Sequence, residues 1–194
     1  MEENFSPQDS LTLIQAMISK TKANLSENRI YFLLWGWVTF AAIIAQFILK
    51  VGLHTERHYL VWYIIIPTVI VSVLYSRRRR GKRAVRTYIG ESMSSLWTGI
   101  GISFFVLSMI VSSKPAGWND AWPLFILFYG LGTFVSGRIL KFRPLVIGGI
   151  INWSLAIASI FAGYDYQLLL AALAILTSYI IPGHLLGSYK QNPS

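Results

Sequence analysis

Six long apolar runs decide most of what this chain can become. They cover about 31–49, 60–75, 96–111, 122–140, 145–161 and 166–186. Each is close to the ~20 residues that ~30 Å of hydrocarbon demands of a helix, although the second and third are short by that measure and borrow flanking residues. Lipid offers no water to pair with backbone N–H and C=O groups, so a spanning segment must be a helix or part of a closed barrel. The runs lack the apolar–polar alternation of barrel strands. The expected fold is therefore all-α, an integral membrane bundle of six transmembrane helices.

Composition agrees. Of 194 residues, 54% are hydrophobic and 13% charged, and mean hydropathy is +0.53. A water-soluble protein of this size cannot hide that much apolar surface. A soluble enzyme, a disordered chain and a secreted disulfide scaffold are excluded. Cysteine is absent, which removes thiolate metal sites and cysteine nucleophiles. Trp35, Trp37, Trp62, Trp97, Trp118, Trp122, Tyr164 and Tyr166 fall mostly near span ends, where an aromatic belt belongs.

Charge sets the expected orientation. With the N-terminus inside, fourteen of the seventeen Lys and Arg residues are cytoplasmic, and only Lys50, Arg57 and Lys114 lie outside. The positive-inside rule then places both termini in the cytoplasm, and the expected location is the cell membrane (the inner membrane in a bacterium). Residues 1–29 form a cytoplasmic juxtamembrane unit, 30–189 the six-span domain and 190–194 a cytoplasmic tail. The first segment has no apolar run long enough for a cleavable signal. Asp9 or Ser10 can cap a helix there. Leu11, Ile14, Met17, Ile18 and Leu25 share one face of it, suited to the membrane surface or to the cytoplasmic end of the bundle.

Two stretches echo each other at an offset of 46. Ala116-Gly117-Trp118-Asn119 matches Ala162-Gly163-Tyr164-Asp165, and Ser136-Gly137-Arg138-Ile139-Leu140 matches Pro182-Gly183-His184-Leu185-Leu186. Spans three-four and five-six thus read as related hairpins, an arrangement found in transporters and also left by plain duplication. Small residues let helices approach closely in lipid. Ser154, Ala158 and Ala162, Gly132 and Ser136, and Gly99, Gly101 and Ser103 are therefore expected in the bundle interior.

Candidate sites are few. The strip Arg77, Arg78, Arg79, Arg80, Lys82, Arg83 and Arg86 suits anionic headgroups of the cytoplasmic leaflet, each Lys or Arg contributing ~1 kcal/mol. The strip and its 76–91 loop also suit a protein partner, as does the N-terminal helix. Nucleic acid is not expected, because stacking aromatics are not interleaved. No Asp, Glu, Lys or His lies near a span midplane, which argues against a proton-coupled pump or an intramembrane aspartate protease. Gln46, Asn152 and hydroxyls such as Ser103, Ser108, Thr133 and Thr177 are expected in interhelical hydrogen bonds. Gln46, Asn152 and Trp153 are the candidate lining of a polar pocket. Pro67 should bend the second span. His54 and His58 lack an obvious third ligand, so neither metal nor cofactor is expected.

Phe134-Val135-Ser136-Gly137 on the fourth span and His184-Leu185-Leu186-Gly187 on the sixth distantly resemble the rhomboid proteases. That family has a six-span core, a serine in a Gly-x-Ser-Gly motif on span four and a histidine on span six. The resemblance implies Ser136 as nucleophile and His184 as its base. Phe134 replaces the first motif glycine, both residues fall at the cytoplasmic ends of their spans, and no oxyanion-stabilising loop is evident. The sequence is accordingly read as a non-catalytic binding or regulatory membrane protein or complex subunit. A small permease for a neutral or lipid-like solute is the alternative, and a serine hydrolase the weakest reading.

Overall fold

The computed structural model describes residues 29–80, 88–114 and 117–188, without the side chains of 79, 80, 120, 187 and 188. The amphipathic face at 11–25, Lys82, Arg83, Arg86 and the 190–194 tail lie outside the described residues. Those described are helical with no strand, and six helices are long and apolar enough to cross a membrane: α1 (Arg29–Gly52), α2 (His58–Arg78), α3 (Tyr88–Ser112), α4 (Trp122–Ile139), α5 (Arg143–Ile160) and α6 (Tyr164–Leu186).

The second and third spans reach their length by borrowing. α3 starts at Tyr88, and Glu91 lies in its first turn, where a negative charge suits the positive end of the helix dipole. At the other end of the scale, helix continues after α2 through Arg80, and four arginines in the last turn complement the carbonyl end. α2 opens as a 3₁₀ segment, His58–Ile64, and becomes α-helical at Ile65. Pro67 therefore stands in the first turn of the α-helical part, where a missing N–H costs little. Thr68 Oγ1 donates to the Ile64 carbonyl at 2.7 Å. The expected bend is thus a change of helix type.

α4, α5 and α6 form the centre. The α4–α5 connection is a Schellman turn: Phe142 N–H donates to Gly137 O at 2.9 Å and Lys141 N–H to Arg138 O at 3.3 Å. Lys141 takes the left-handed position with φ 53°, the place usually filled by glycine. Pro144 then starts α5, its fixed φ suiting a first helical turn. So short a turn forces α5 back along α4, and glycines allow the contact. A Cβ on Gly149 would lie 2.7 Å from Phe134 Cβ and 2.8 Å from its backbone nitrogen. One on Gly148 would lie 2.9 Å from Ser178 Cα on α6.

The remaining helices add to this core through aromatic rings. Phe32 of α1 meets Tyr179 of α6 at 5.4 Å, and Phe104 of α3 meets Tyr129 of α4 at 4.7 Å. α2 is held differently. Trp62 packs on Trp122 near one end and Tyr75 on Tyr31 near the other. Between them Ile66, Val69, Ile70, Val71, Val73 and Leu74 are exposed.

The small-residue expectation holds for Gly132 and Ser136, which are buried, and fails elsewhere. Ser154 and Ala158 are exposed, Ala162 is only half-buried, and Gly99 and Gly101 meet nothing within 4 Å. The buried face of α5 is Leu145, Gly148, Gly149, Asn152, Ala156 and Ser159. On a helix apolar all round, several four-residue spacings compete, and only the neighbours choose among them.

Two substitutions test these contacts. Gly149→Ala is expected to lower unfolding stability in micelles by about 1–3 kcal/mol through overpacking, whereas Gly101→Ala should not lower it. Lys141→Gly is expected to raise stability by about 1 kcal/mol by relieving a left-handed non-glycine residue. Denaturant titration followed by tryptophan fluorescence reads both.

Candidate functional site

The polar residues of the spans have three fates. Most hydroxyls bond back to their own helix. Ser103 donates to Gly99 O, Ser108 to Phe104 O, Ser154 to Ile150 O and Thr177 to Leu173 O. The i−4 carbonyl is the nearest acceptor available to a hydroxyl on a helix in lipid. For these residues the expected interhelical bonds give way to local ones.

Asn152 follows the expectation. It sits halfway along α5, has no exposed surface, and donates from Nδ2 to Ser178 Oγ on α6 at 3.1 Å. Ser178 passes its own proton to the Ala174 carbonyl at 2.6 Å. Ser178 belongs to a π turn, Leu176–Ile180, inside α6, and such bulges are frequent at functional positions. Trp153 is half-buried and packs on Phe134 at 5.1 Å. No hydrogen bond among the described residues joins Gln46 to Asn152. The two amides serve different hydrogen-bonded clusters, Gln46 with α2 and the start of α6 and Asn152 with Ser178.

Gln46 is the hub of a cluster at the opposite end from the basic residues of α2. Its Oε1 accepts from Trp62 Nε1 at 2.7 Å. Its Nε2 donates to Tyr164 Oη at 3.0 Å and lies 3.2 Å from His58 Nδ1. An indole N–H can only donate, so Oε1 must face Trp62 and the amide NH₂ must face the other two. Beside this hub Lys50 pairs with Asp165 and lies 4.3 Å from the centre of the Tyr164 ring. The pair is partly exposed and worth little by itself. Together these residues join α1, both ends of the 52–58 connection and the start of α6. His58 is half-buried against Gln46. Sequence spacing could not reveal this cluster, because its members come from three separate stretches.

Other candidates do not come together. Ser136 is fully buried and its Oγ has no hydrogen-bond partner among the described residues. His184 Nδ1 lies 2.8 Å from its own helix's Ile180 carbonyl, and its ring meets Trp37 at 6.4 Å. No hydrogen bond among the described residues links the serine to the imidazole. His54 stands in an exposed connection with φ 49°. Among the described residues no three His, Cys, Asp or Glu side chains gather as metal ligands. Arg77 and Arg78 are exposed at the end of α2, and the backbone of Arg79 and Arg80 continues the helix.

With this geometry in view, the chain was compared with known proteins: no family model, curated protein or solved structure matches it.

Gln46→Leu is expected to lower stability by about 1–3 kcal/mol, since it leaves the Trp62 N–H unpaired in the junction. Ser136→Ala should leave stability unchanged or slightly higher, because it removes a buried hydroxyl that has no partner. Denaturation in micelles checks both, and a fluorophosphonate probe is expected to leave the wild-type chain unlabelled at Ser136.

Proposed function

We propose that this chain is a non-catalytic multi-pass protein of the cell membrane that acts by binding, as a regulator, assembly factor or subunit of a larger complex. The observation that carries this reading is the tight packing around Asn152 at the middle of α5. Asn152 is fully buried, its amide donates to Ser178, and the space opposite is occupied by Gly130 packed on Asn152 Cβ and Trp153. A solute pathway needs polar groups that water can reach, and Asn152 has no exposed surface. An acyl-transfer site needs a hydroxyl within reach of its base; Ser136 Oγ has no hydrogen-bond partner among the described residues, and His184 Nδ1 lies against the Ile180 carbonyl.

In this reading both termini and the 76–91 connection are cytoplasmic. The arginines after α2 hold anionic headgroups, and the amphipathic segment at 11–25 with the basic strip receives a protein partner. The absence of cysteine makes the orientation simple to test. A cysteine introduced at Ala84 should react with a membrane-impermeant maleimide only after permeabilisation, and one at His54 in intact cells. The opposite pattern refutes the orientation.

The binding role is tested by isolating the tagged full chain in mild detergent. A partner in fixed stoichiometry is expected, lost on deletion of residues 1–25 or on neutralising the Arg77–Arg80 run to glutamine. A solitary chain, indifferent to both changes, removes the support. The π turn in α6 and the helix-type change beside Pro67 favour the permease as second reading. It prevails if proteoliposomes pass a neutral solute at a rate that falls on Asn152→Leu.

A further inference from the structure

We propose that His58 is a proton-binding site on the outer end of the bundle, read by Gln46, and that its protonation releases the α1–α2–α6 junction. The inference takes its outer side from the orientation proposed above and is independent of the partner-binding role.

The argument begins with the amide whose orientation is fixed. Trp62 Nε1 holds Gln46 Oε1 at 2.7 Å, which leaves only N–H groups of Gln46 toward Tyr164 and His58. At 3.2 Å from such a donor, His58 Nδ1 must accept, so the imidazole is neutral with its proton on Nε2. Protonation makes both ring nitrogens donors. No rotation of the ring then restores an acceptor to Gln46. Rotating the Gln46 amide instead would set its NH₂ against the Trp62 N–H, moving the conflict one residue along. The junction can therefore be fully paired only with neutral His58.

Charged neighbours are drawn in as well. Lys50 of α1 and Asp165 of α6 are the charged groups that act on His58, and Tyr59 and Tyr164 are the other titratable side chains nearby. Lys50 is engaged by Asp165 and by the Tyr164 ring. A cationic imidazole adds like charge beside Lys50 and competes for Asp165, so both the hydrogen bonds and the ion pair are disturbed together. The sign follows. The junction is intact while His58 is neutral and loses its pairing as the pH of the outer compartment falls. α2 is the element freed, because Trp62 is its attachment at that end and its middle is exposed.

The test uses the full chain in lipid nanodiscs. The three histidines are few enough for His54→Gln and His184→Gln to assign the ¹⁵N resonances of His58. At about pH 8, well above the usual range of histidine titration, His58 is expected as the Nε2–H tautomer with Nδ1 unprotonated. Spin labels on Leu60→Cys and Tyr166→Cys, both exposed positions, report the α2–α6 separation. The short-distance population should be lost as the pH falls toward about 5, with the midpoint of His58 protonation. His58→Gln keeps an acceptor that does not titrate and should hold the short distance throughout. A proton on Nδ1 at the higher pH overturns the proposal. So does a separation unchanged when His58 is protonated, or an undiminished pH response in His58→Gln. If that variant fails to fold, the wild-type tautomer and distance series decide alone.

Discussion

In a bilayer interior, a polar group that finds no partner within the protein finds none at all, and six helices of this chain are long and apolar enough for that scarcity to apply. Helices answer it for the backbone. For side chains the answers differ by reach. A serine or threonine can turn to the carbonyl one turn earlier, as Ser103, Ser108 and Thr177 do. An amide is too long and too richly equipped for that, so Asn152 and Gln46 look to other helices. These two residues consequently fix helix positions, whereas the hydroxyls mostly do not.

Close approach is the second organising effect. Helix association in lipid draws little from the hydrophobic effect and much from tight packing. The short Schellman turn at 137–142 brings α5 against α4, and Gly149 lets the two backbones meet where any side chain would collide. Gly148 does the same toward Ser178, which puts the Asn152 hydrogen bond within range. Packing and polar pairing are therefore one arrangement: the glycines set the distance and the amide uses it.

Much of this was legible in the sequence, because apolar length is a direct consequence of bilayer thickness. All six spans lie where the runs predict, with α3 extended by the residues from Tyr88 onward. The burial of Gly132 and Ser136, and the bond of Asn152 to another helix, follow from small and polar residues amid apolar ones. What could not be read was rotation. Every face of α5 is apolar enough for lipid, so the Ser154–Ala158 spacing looked as good as the Gly148–Asn152 one. The Gln46 cluster was hidden for a related reason. Trp62, His58 and Tyr164 are ordinary belt and loop residues until the fold brings them to one amide. The Ser136 and His184 resemblance rests on spacing alone: Ser136 Oγ has no hydrogen-bond partner among the described residues, and His184 Nδ1 lies against its own helix's Ile180 carbonyl.

α2 is fastened by aromatic rings near its two ends, and between them only Thr68 and Ser72 turn inward while the apolar side chains are exposed. Such a rod takes its inclination from the lipid rather than from adjoining protein, since tilt is set by packing only where packing exists. Thicker or thinner bilayers can therefore be met by leaning this one element while the α4–α5–α6 core stays as it is. Along its middle, from Ile66 to Leu74, one oily side chain can replace another without loss of packing, whereas Thr68 is buried and Ser72 half-buried.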